Sequence, residues 1–222
     1  MLLPSITNRP VRLGVLISGG GTTLLNLLEC IKNGTLNAEV QVVMTNQPDC
    51  QGRARSENAG LKTCVHRRAD FESLSQYSDQ VFEVLTGHDV DLVIMAGFLS
   101  MLQIPDHYEH RVLNIHPSLI PSFCGKGMYG HHVHEAVKAR GAKVSGCTVH
   151  FANNQYDEGP IVLQRPVLLP DNSTAEEIAA LVFEQEQLAY PEAIRRVISG
   201  RFEVVGRTTI YHDSESEMTS GH

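Results

Sequence analysis

The stretch VRLGVLISGGGTTLLNLLECI, residues 11–31, decides the fold of this chain of 222 residues. VRLGVLI is a short apolar run, typical of a strand that is buried on both faces of a parallel sheet. Three glycines follow it, and LLNLLECI then has the apolar spacing of a helix. Because strand–turn–helix units build parallel sheets, this stretch predicts the first unit of an α/β fold.

The same alternation continues on the carboxyl side of this stretch. Strands are predicted at AEVQVVMT, at the weaker KTCVH and at DLVIMAG, with helices between them at GRARSENAG and at residues 71–88. The first hundred residues therefore have the order β-α-β-α-β-α-β. This order predicts a mostly parallel central sheet, joined by right-handed crossovers that place helices over its faces.

The second half of the chain departs from this order. RVLNIHP is a strand that runs into proline, and residues 118–130 are too irregular for a helix or strand. A short helix is predicted at HHVHEAVKARG, and KVSGCTVHF and PIVLQRPVLL are expected to extend the sheet with antiparallel strands. A long amphipathic helix is predicted over residues 174–199, capped by Asn172 or Ser173. We expect one domain over residues 1–207 and a disordered polar tail over residues 208–222.

The composition limits the classes of partner. A net charge of −7 and a pI of about 5.9 argue against a nucleic-acid binder, which usually presents a basic face. No apolar run approaches the roughly 18 residues of a membrane span, and the amino terminus lacks the pattern of a signal peptide. Five cysteines, an odd number without a CxxC pair, indicate reduced thiols. These features predict a cytoplasmic protein that binds neither nucleic acid nor membrane.

The glycine-rich SGGGTT is a candidate phosphate site, because ligands of open α/β sheets bind beyond the carboxyl ends of the strands. Its glycines allow close backbone approach, and the start of the next helix offers unpaired N–H groups. The alternative is a tight turn without a ligand. The segment lacks the GK[ST] ending of a nucleotide-triphosphate loop and the full GxGxxG spacing of a dinucleotide site.

Asn114 and His116 alternate at the end of the strand RVLNIHP, so they project to the same side. An amide and an imidazole aimed at one point can stabilise an oxyanion, and the histidine can transfer a proton. The alternative is a structural histidine that caps the strand end. Asp157, in the loop ANNQYDEG, would orient His116 and raise its pKa if the loop met that histidine. Otherwise it is an aspartate that hydrogen-bonds its own turn.

Two groups of histidines raise the question of a metal site. HHVHE, residues 131–135, lacks the HExxH spacing of zinc proteases. His107 and His110 form a second pair at helical spacing. For both groups the pattern favours exposed helix histidines, and we expect no metal.

Five segments resemble, in the same order, the phosphoribosylglycinamide formyltransferase family. They are GVLISGGGTTLLNLL, DLVIMAGFLSML, VLNIHPSLIPSFCGKG, GCTVHFANNQYDEGPIVLQ and FEQEQLAYPEAI. The resemblance covers the chain from about Val11 to Val205, and the patterns NxHPSLxP and VHFxxxxxDxGPxxxQ contribute most to it. It implies a single-domain, Rossmann-like formyltransferase fold. The implied reaction transfers the formyl group of 10-formyltetrahydrofolate to the amine of glycinamide ribonucleotide in purine (IMP) biosynthesis.

The resemblance also implies roles for particular residues. Asn114 and His116 would hold and protonate the oxyanion of a tetrahedral intermediate, while Asp157 would keep His116 protonated and assist proton transfer. Glu186 would contact the ribonucleotide. The substrate phosphate would be bound by Gly19, Gly20, Gly21, Thr22 and Thr23. The 10-formyl folate would be bound by Phe98, Leu99, Ser100, Met101, Leu102, Asn114, Ala152, Asn153, Asn154, Gln155 and Tyr156.

The implied partners are the two small-molecule substrates, bound by a monomer or homodimer without a metal. The alternatives are a formyltetrahydrofolate hydrolase, a methionyl-tRNA formyltransferase or a catalytically inactive binding module. The hydrolase normally carries an amino-terminal regulatory domain, and the first strand near Val11 leaves no room for one. The tRNA enzyme needs a basic surface for RNA, whereas this chain ends in the acidic DSESEMTSGH.

Overall fold

The computed structural model describes residue 6 and residues 8–212, which form one nine-stranded sheet covered by helices. The strands are β1 (Val11–Ile17), β2 (Ala38–Thr45), β3 (Thr63–Val65), β4 (Leu92–Met95), β5 (Val112–His116), β6 (Val144–Phe151), β7 (Ile161–Leu168), β8 (Phe202–Val205) and β9 (Thr208–Tyr211). The α-helices are α1 (Thr22–Lys32), α2 (Gln51–Asn58), α3 (Leu74–Gly87), α4 (His131–Ala139) and α5 (Ala175–Ile198). Two short 3-10 turns cover Arg68–Asp70 and Asp106–Tyr108.

The strand order in the sheet is β3-β2-β1-β4-β5-β6-β7-β9-β8. The five strands from β3 to β5 are parallel, and β6 and β7 then continue the sheet antiparallel. This arrangement confirms the predicted fold class and the predicted antiparallel extension. The strand order reverses direction between β1 and β4, which is where ligands bind in sheets of this kind.

Two apolar clusters bury the two faces of the sheet. Leu13, Val15 and Ile17 of β1 point to the face that is covered by α1, α4 and α5. Leu16, between them in the sequence, points to the opposite face, which is covered by α3. The alternation along β1 explains why VRLGVLI is apolar throughout, since both of its faces are buried.

The carboxyl ends of β1 and β4 are tied together. The backbone N–H of Ser18 donates to the carbonyl of Gly97 at 3.1 Å, and the Ser18 hydroxyl accepts the N–H of Leu99 at 2.9 Å. Tyr190 of α5 reaches the sheet from one side, and its hydroxyl donates to the carbonyls of Met95 and Leu113. These bonds fix the loop after β4 against the glycine-rich loop after β1.

The structure corrects two predicted boundaries. The tail prediction is wrong for residues 208–211, because Thr208–Tyr211 forms β9, which pairs with β8 and hydrogen-bonds to β7. Tyr211 helps to hold it there by donating its hydroxyl proton to the Val162 carbonyl at 3.0 Å. The rest of the predicted tail, residues 213–222, lies outside the described residues.

The second correction concerns the cap of α5. Thr174, rather than Asn172 or Ser173, is the N-cap, and its hydroxyl accepts the N–H of Glu177 at 3.1 Å. The Glu177 carboxylate accepts the N–H of Thr174 in return, at 2.7 Å. This reciprocal capping box satisfies two backbone donors, which a single serine or asparagine cap would not do.

Candidate active site

A cavity of about 590 Å³ opens at the carboxyl ends of β1, β4 and β5. Its walls come from Thr23 in the first turn of α1, from the end of β5, from the loops after β4 and β6, from the segment before α4, and from α4 and α5. Most of the predicted site residues line it: Thr23, Phe98, Leu99, Ser100, Met101, Leu102, Asn114, His116, Ala152, Asn153, Gln155, Tyr156, Asp157 and Glu186. The cavity therefore unites segments that are more than 160 positions apart in the sequence.

Asn114 and His116 lie two residues apart on β5, so both side chains project from the same face of the sheet. The register of β5 with β6 places His150 opposite Asn114. The amide Nδ2 of Asn114 donates to Nε2 of His150 at 3.1 Å, and Nδ1 of His150 donates to the Phe151 carbonyl at 2.9 Å. Since Nδ1 carries the proton there, Nε2 of His150 accepts one N–H of Asn114 and fixes the amide.

Asp157 meets both histidines, as the catalytic interpretation of this residue required. Its Oδ2 lies 3.7 Å from Nδ1 of His116, and its Oδ1 lies 3.6 Å from Nε2 of His150. The backbone N–H of Gly125 donates to Oδ2 at 2.8 Å, so the segment after β5 also positions the carboxylate. The asparagine, the two histidines and the aspartate form what we call the polar cluster: Asn114, His116, His150 and Asp157.

A hydrogen bond at Nε2 holds the ring of His116 so that Nδ1 faces the carboxylate of Asp157. Its Nε2 donates to the Phe123 carbonyl at 2.8 Å. Burial lowers the pKa of His116 and outweighs the charge of Asp157, which raises it, so the pKa lies below its ordinary value. The role predicted for Asp157, which is to keep His116 protonated, stays a prediction.

The carboxylate of Asp157 stays ionised at neutral pH. Burial raises its pKa, but His150, His116 and the N–H of Gly125 together lower it further, so the pKa lies below its usual range. An ionised carboxylate beside a neutral imidazole can accept a proton relayed through that imidazole or through a water. The pair is thus suited to moving a proton away from a reacting nitrogen.

The glycine-rich loop makes a tight turn into α1. Gly21 has φ +72°, and a Cβ there would lie 2.7 Å from Cα of Gly52, so the turn requires glycine. α1 begins directly after it, which presents free N–H groups at Thr22 and Thr23. Arg55 of α2 donates from Nη1 to the Gly20 carbonyl at 2.5 Å and brings a positive charge to the loop.

Only part of the predicted phosphate loop lines the cavity itself. Thr23 lines it, whereas the other predicted positions do not: Gly19, Gly20, Gly21 and Thr22. Gly19 and Gly20 are exposed to solvent. The role predicted for this loop in binding a phosphate stays a prediction.

Glu186 of α5 lines the same cavity, one turn before Tyr190. Burial raises the pKa of its carboxyl to about 7. No salt bridge of Glu186 occurs among the described residues, and the residue lines the cavity. Such a group suits hydroxyl or amine donors of a ligand.

The predicted folate segments form one wall. All five residues from Phe98 to Leu102 line the cavity, and four of the five from the loop after β6 do so. Asn154 does not, because its Oδ1 accepts the N–H of Ile104 at 2.7 Å and ties the two walls together. Ser100 is held in place by Asn46, whose amide donates to the Ser100 hydroxyl at 2.6 Å.

Sequence reasoning missed two histidines of this site. His150 stands in the pattern VHFxxxxxDxGPxxxQ, but that pattern does not reveal its partner, because Asn114 lies on a strand 36 residues earlier and only the sheet register joins them. His134 was predicted to be an exposed helix histidine, and that prediction is wrong. It shares the buried face of α4 with Val133 and Val137 and is 6% exposed. The spacing of those two valines was a signal that could have found it.

Among the residues that the structure describes, no group of three or more His, Cys, Asp or Glu side chains lies close enough to hold a metal ion. No helix over residues 8–212 is long and apolar enough to cross a membrane.

The family profile and the similar sequences agree with one another in pointing to formyltransferases. The profile of the family described as "Formyl transferase" matches residues 11–194. The phosphoribosylglycinamide formyltransferase of Haemophilus influenzae is 32% identical over 213 residues, which cover 95% of this chain and 98% of that protein. The chloroplastic phosphoribosylglycinamide formyltransferase of Vigna unguiculata is 37% identical over 198 residues, covering 88% of this chain. The match spans 64% of the length of that plant relative.

Comparison with solved structures supports the same fold. The crystal structure of glycinamide ribonucleotide transformylase 1 from Symbiobacterium toebii superposes with a TM-score of 0.86 at 35% identity. The match covers 93% of this chain and 96% of that one. A formyltetrahydrofolate deformylase from Pseudomonas syringae superposes with a TM-score of 0.82 at 22% identity, a likeness of fold alone.

Proposed function

We propose that this chain, which belongs to the formyl transferase family, transfers the formyl group of 10-formyltetrahydrofolate to the amine of glycinamide ribonucleotide. The observation that carries the proposal is the convergence of Asn114, His116 and Asp157 at one point in the cavity. These are the groups needed to hold an oxyanion and move a proton in acyl transfer. The reaction would serve purine (IMP) biosynthesis.

The shape and polarity of the cavity support two substrates that meet at the polar cluster. The wall of Phe98, Met101 and Leu102 offers an apolar surface to a flat pterin, and the loop after β6 closes over it. At the other end, the glycine-rich loop and Arg55 offer N–H groups and a positive charge to a phosphate. Glu186 lies where it would accept hydrogen bonds from the ribonucleotide.

In the proposed reaction the neutral amine attacks the formyl carbon, and the carbonyl π electrons move to oxygen. Asn114 stabilises this oxyanion with the amide N–H that His150 does not take. The site need not reorganise for this step, because His150 and the β5–β6 register already fix the amide. His116 lies beside Asn114 and provides a second polar group at the same centre.

Proton transfer completes the exchange. The attacking nitrogen loses one proton, which passes to Nδ1 of His116 directly or through a water that Asp157 orients. The imidazolium formed this way faces the ionised Asp157 carboxylate at 3.7 Å and stands beside the oxyanion. When the tetrahedral intermediate collapses, the C–N10 bond breaks and the proton goes to N10 of the departing folate. Asp157 thus assists proton transfer without forming a bond to the substrate.

The proposed partners of the enzyme are small molecules. The co-substrate is the 10-formyl folate, and no step needs a metal. We propose a cytoplasmic enzyme that acts as a monomer or homodimer on small molecules, without nucleic acid or membrane. The acidic net charge of −7 is consistent with partners bound at one local anion site instead of a basic surface.

The test is a spectroscopic assay of folate deformylation, run with and without glycinamide ribonucleotide. Amine-dependent release of the deformylated folate is expected. Equal release in both tubes would indicate a hydrolase, with water in place of the amine. No release in either tube would contradict the proposed function.

A further inference from the structure

The buried histidine of α4 has a role that the polar cluster does not supply. His134 lines the cavity, is 6% exposed, and its Nδ1 is buried without a hydrogen-bond partner. Buried polar groups in native proteins are almost always paired, so an unpaired one needs an explanation. His134 belongs to the buried face of α4, because the other buried residues of this helix are Val133 and Val137.

His134 differs from the other buried side chains that lack a partner. Among the described residues, the unpaired side-chain atoms belong to Asn46, His66, His134, Ser145, Arg165 and Thr209. Of these six residues, only His134 lines the cavity. By contrast, both nitrogens of His150 and Nε2 of His116 are hydrogen-bonded within the protein. An unpaired imidazole in the cavity wall is therefore a specific feature of the site.

The unpaired Nδ1 determines which nitrogen carries the proton. A buried N–H without an acceptor is rarer in proteins than an under-used acceptor, so the neutral ring places its proton on Nε2. Nε2 is not among the buried unpaired atoms and makes no hydrogen bond in the described structure, so it is open to the cavity. The ring also stays neutral, because burial and then the charges of His131 and His116 lower the pKa of His134 to about 4. His134 is thus a neutral donor directed at a ligand.

We propose that His134 positions the amine substrate by donating its Nε2 proton to the carbonyl oxygen of the glycinamide. This inference rests on the proposed function and adds a residue to it. The carbonyl is the acceptor next to the reacting amine, and His134 is close enough to His116 to feel its charge. α4 packs against α5, which carries Glu186 on the same cavity wall. His134 offers a hydrogen-bond donor and Glu186 an acceptor, and the glycinamide contains an acceptor and a donor that could pair with them.

A neutral donor at this place has two consequences. Fixing the carbonyl restricts rotation about the bond to the carbon that bears the amine, and so aims the amine at the formyl carbon. A charged donor would instead disfavour a protonated amine and the imidazolium of His116. The low pKa of His134 keeps it neutral throughout the pH range in which the amine is reactive. His134 is therefore a positioning residue and takes no part in proton transfer.

The test compares three variants by steady-state kinetics with each substrate varied. His134→Leu removes the donor and keeps an apolar side chain of similar size in the buried face. His134→Gln keeps an N–H at about the reach of Nε2. His132→Gln is the matched control, because His132 lies on the same helix, is exposed, and does not line the cavity.

We expect His134→Leu to raise KM for glycinamide ribonucleotide by roughly ten- to a hundredfold, as for a lost hydrogen bond to a buried group. KM for the folate should stay within about twofold, and His134→Gln should recover most of the loss. His132→Gln should match the wild type. Circular dichroism and the thermal midpoint establish that each variant is folded.

In a second experiment, ring ¹⁵N NMR of histidine-labelled protein reports the contact directly. The His134 signals, identified by their loss in His134→Gln, should shift on adding glycinamide ribonucleotide and not on adding the folate. A purely structural histidine would not show this selectivity. The shift is measured with the ribonucleotide alone, so no turnover takes place and an effect on kcat cannot influence it.

Three results would overturn the proposal. His134→Leu with an unchanged KM for the ribonucleotide would show that the donor is not used. Equal losses for both substrates, with no recovery in His134→Gln, would indicate a structural role. Ring signals that do not respond to the ribonucleotide would exclude the contact. Failure of the proposed function is distinct, since wild-type protein would then lack amine-dependent turnover before any variant is compared.

Discussion

Two buried aspartates at opposite edges of the sheet differ in how completely they are paired. Asp91 precedes β4, at the amino-terminal edge, and Asp157 lies at the carboxyl-terminal edge in the cavity; each side chain is 10% exposed. Asp91 accepts hydrogen bonds from Arg9 at 2.6 and 2.8 Å and from the N–H of Arg12 at 2.9 Å. Asp157 accepts one short bond, from Gly125, and its two histidines stay 3.6 and 3.7 Å away.

The difference separates a structural carboxylate from a reactive one. Burial raises the pKa of Asp91, but Arg9 and Arg12 lower it further, to about 2. Its oxygens are saturated by donors that cannot give up their protons, so it cannot take part in chemistry. Asp157 is also ionised, yet its side-chain neighbours are the imidazoles of His116 and His150, which can carry a proton between groups. Equal burial therefore does not imply an equal role.

The largest expected effect is the loss of activity in Asp157→Asn. The amide can still accept the N–H of Gly125, so the fold should be kept, but it has no negative charge to stabilise the imidazolium of His116. We expect kcat to fall by roughly a thousandfold, within the range for general acid–base groups. The measurement is kcat together with the urea midpoint. A variant with more than about a tenth of wild-type activity would contradict the assigned role.

Asp91→Asn should show the reverse pattern, with stability lost and kcat kept. The pKa of Asp91 is lowered from 3.8 to about 2, so its contribution is present above pH 4 and is lost as the pH falls towards 2. At neutral pH we expect the free energy of unfolding to fall by about 2 kcal/mol. Urea titrations of both proteins at several pH values provide the measurement. The difference between them should shrink below pH 4, and a constant difference would contradict the linkage.

His150→Leu tests the partner of Asn114 in the polar cluster. The substitution removes the acceptor that fixes the Asn114 amide, and with it one neighbour of Asp157. Because His150 acts through these residues, we expect kcat to fall by about tenfold with little change in either KM. His110→Gln is the control, since His110 packs edge-on against Phe151 and lies outside the cluster. An equal loss in the control would mean that the effect comes from packing.

The smallest expected effect is that of Arg9→Gln at the Asp91 site. Arg9 is 45% exposed, and Arg12 still donates to the carboxylate when Arg9 is removed. We therefore expect a loss of less than about 1 kcal/mol in the free energy of unfolding, as for exposed ion pairs. Urea titration at low and high salt measures it. A loss as large as that of Asp91→Asn would show that Arg9 alone accounts for the pairing.

The sequence by itself determined the layered fold, because its signals are local. VRLGVLI and DLVIMAG are apolar along their whole length, and only a strand buried on both faces needs that pattern. The elements from β1 to α5 lie where periodicity predicted them. The short strands β8 and β9 were missed, although FEVV and TTIY flank the two-residue turn Gly206-Arg207 as in a local hairpin; only the contact of β9 with β7 is long-range.

For the site, the sequence determined which residue types stand at the strand ends, and a family resemblance assigned their roles. Only the tertiary structure decided that Asp157 meets His116, that His150 faces Asn114, and that His134 is buried in the cavity wall. It also decided the surroundings of His116, where burial lowers the pKa by more than the nearby carboxylate raises it. The physical reason is that register and desolvation depend on the whole sheet and its helices, whereas periodicity and turn chemistry depend on neighbours along the chain.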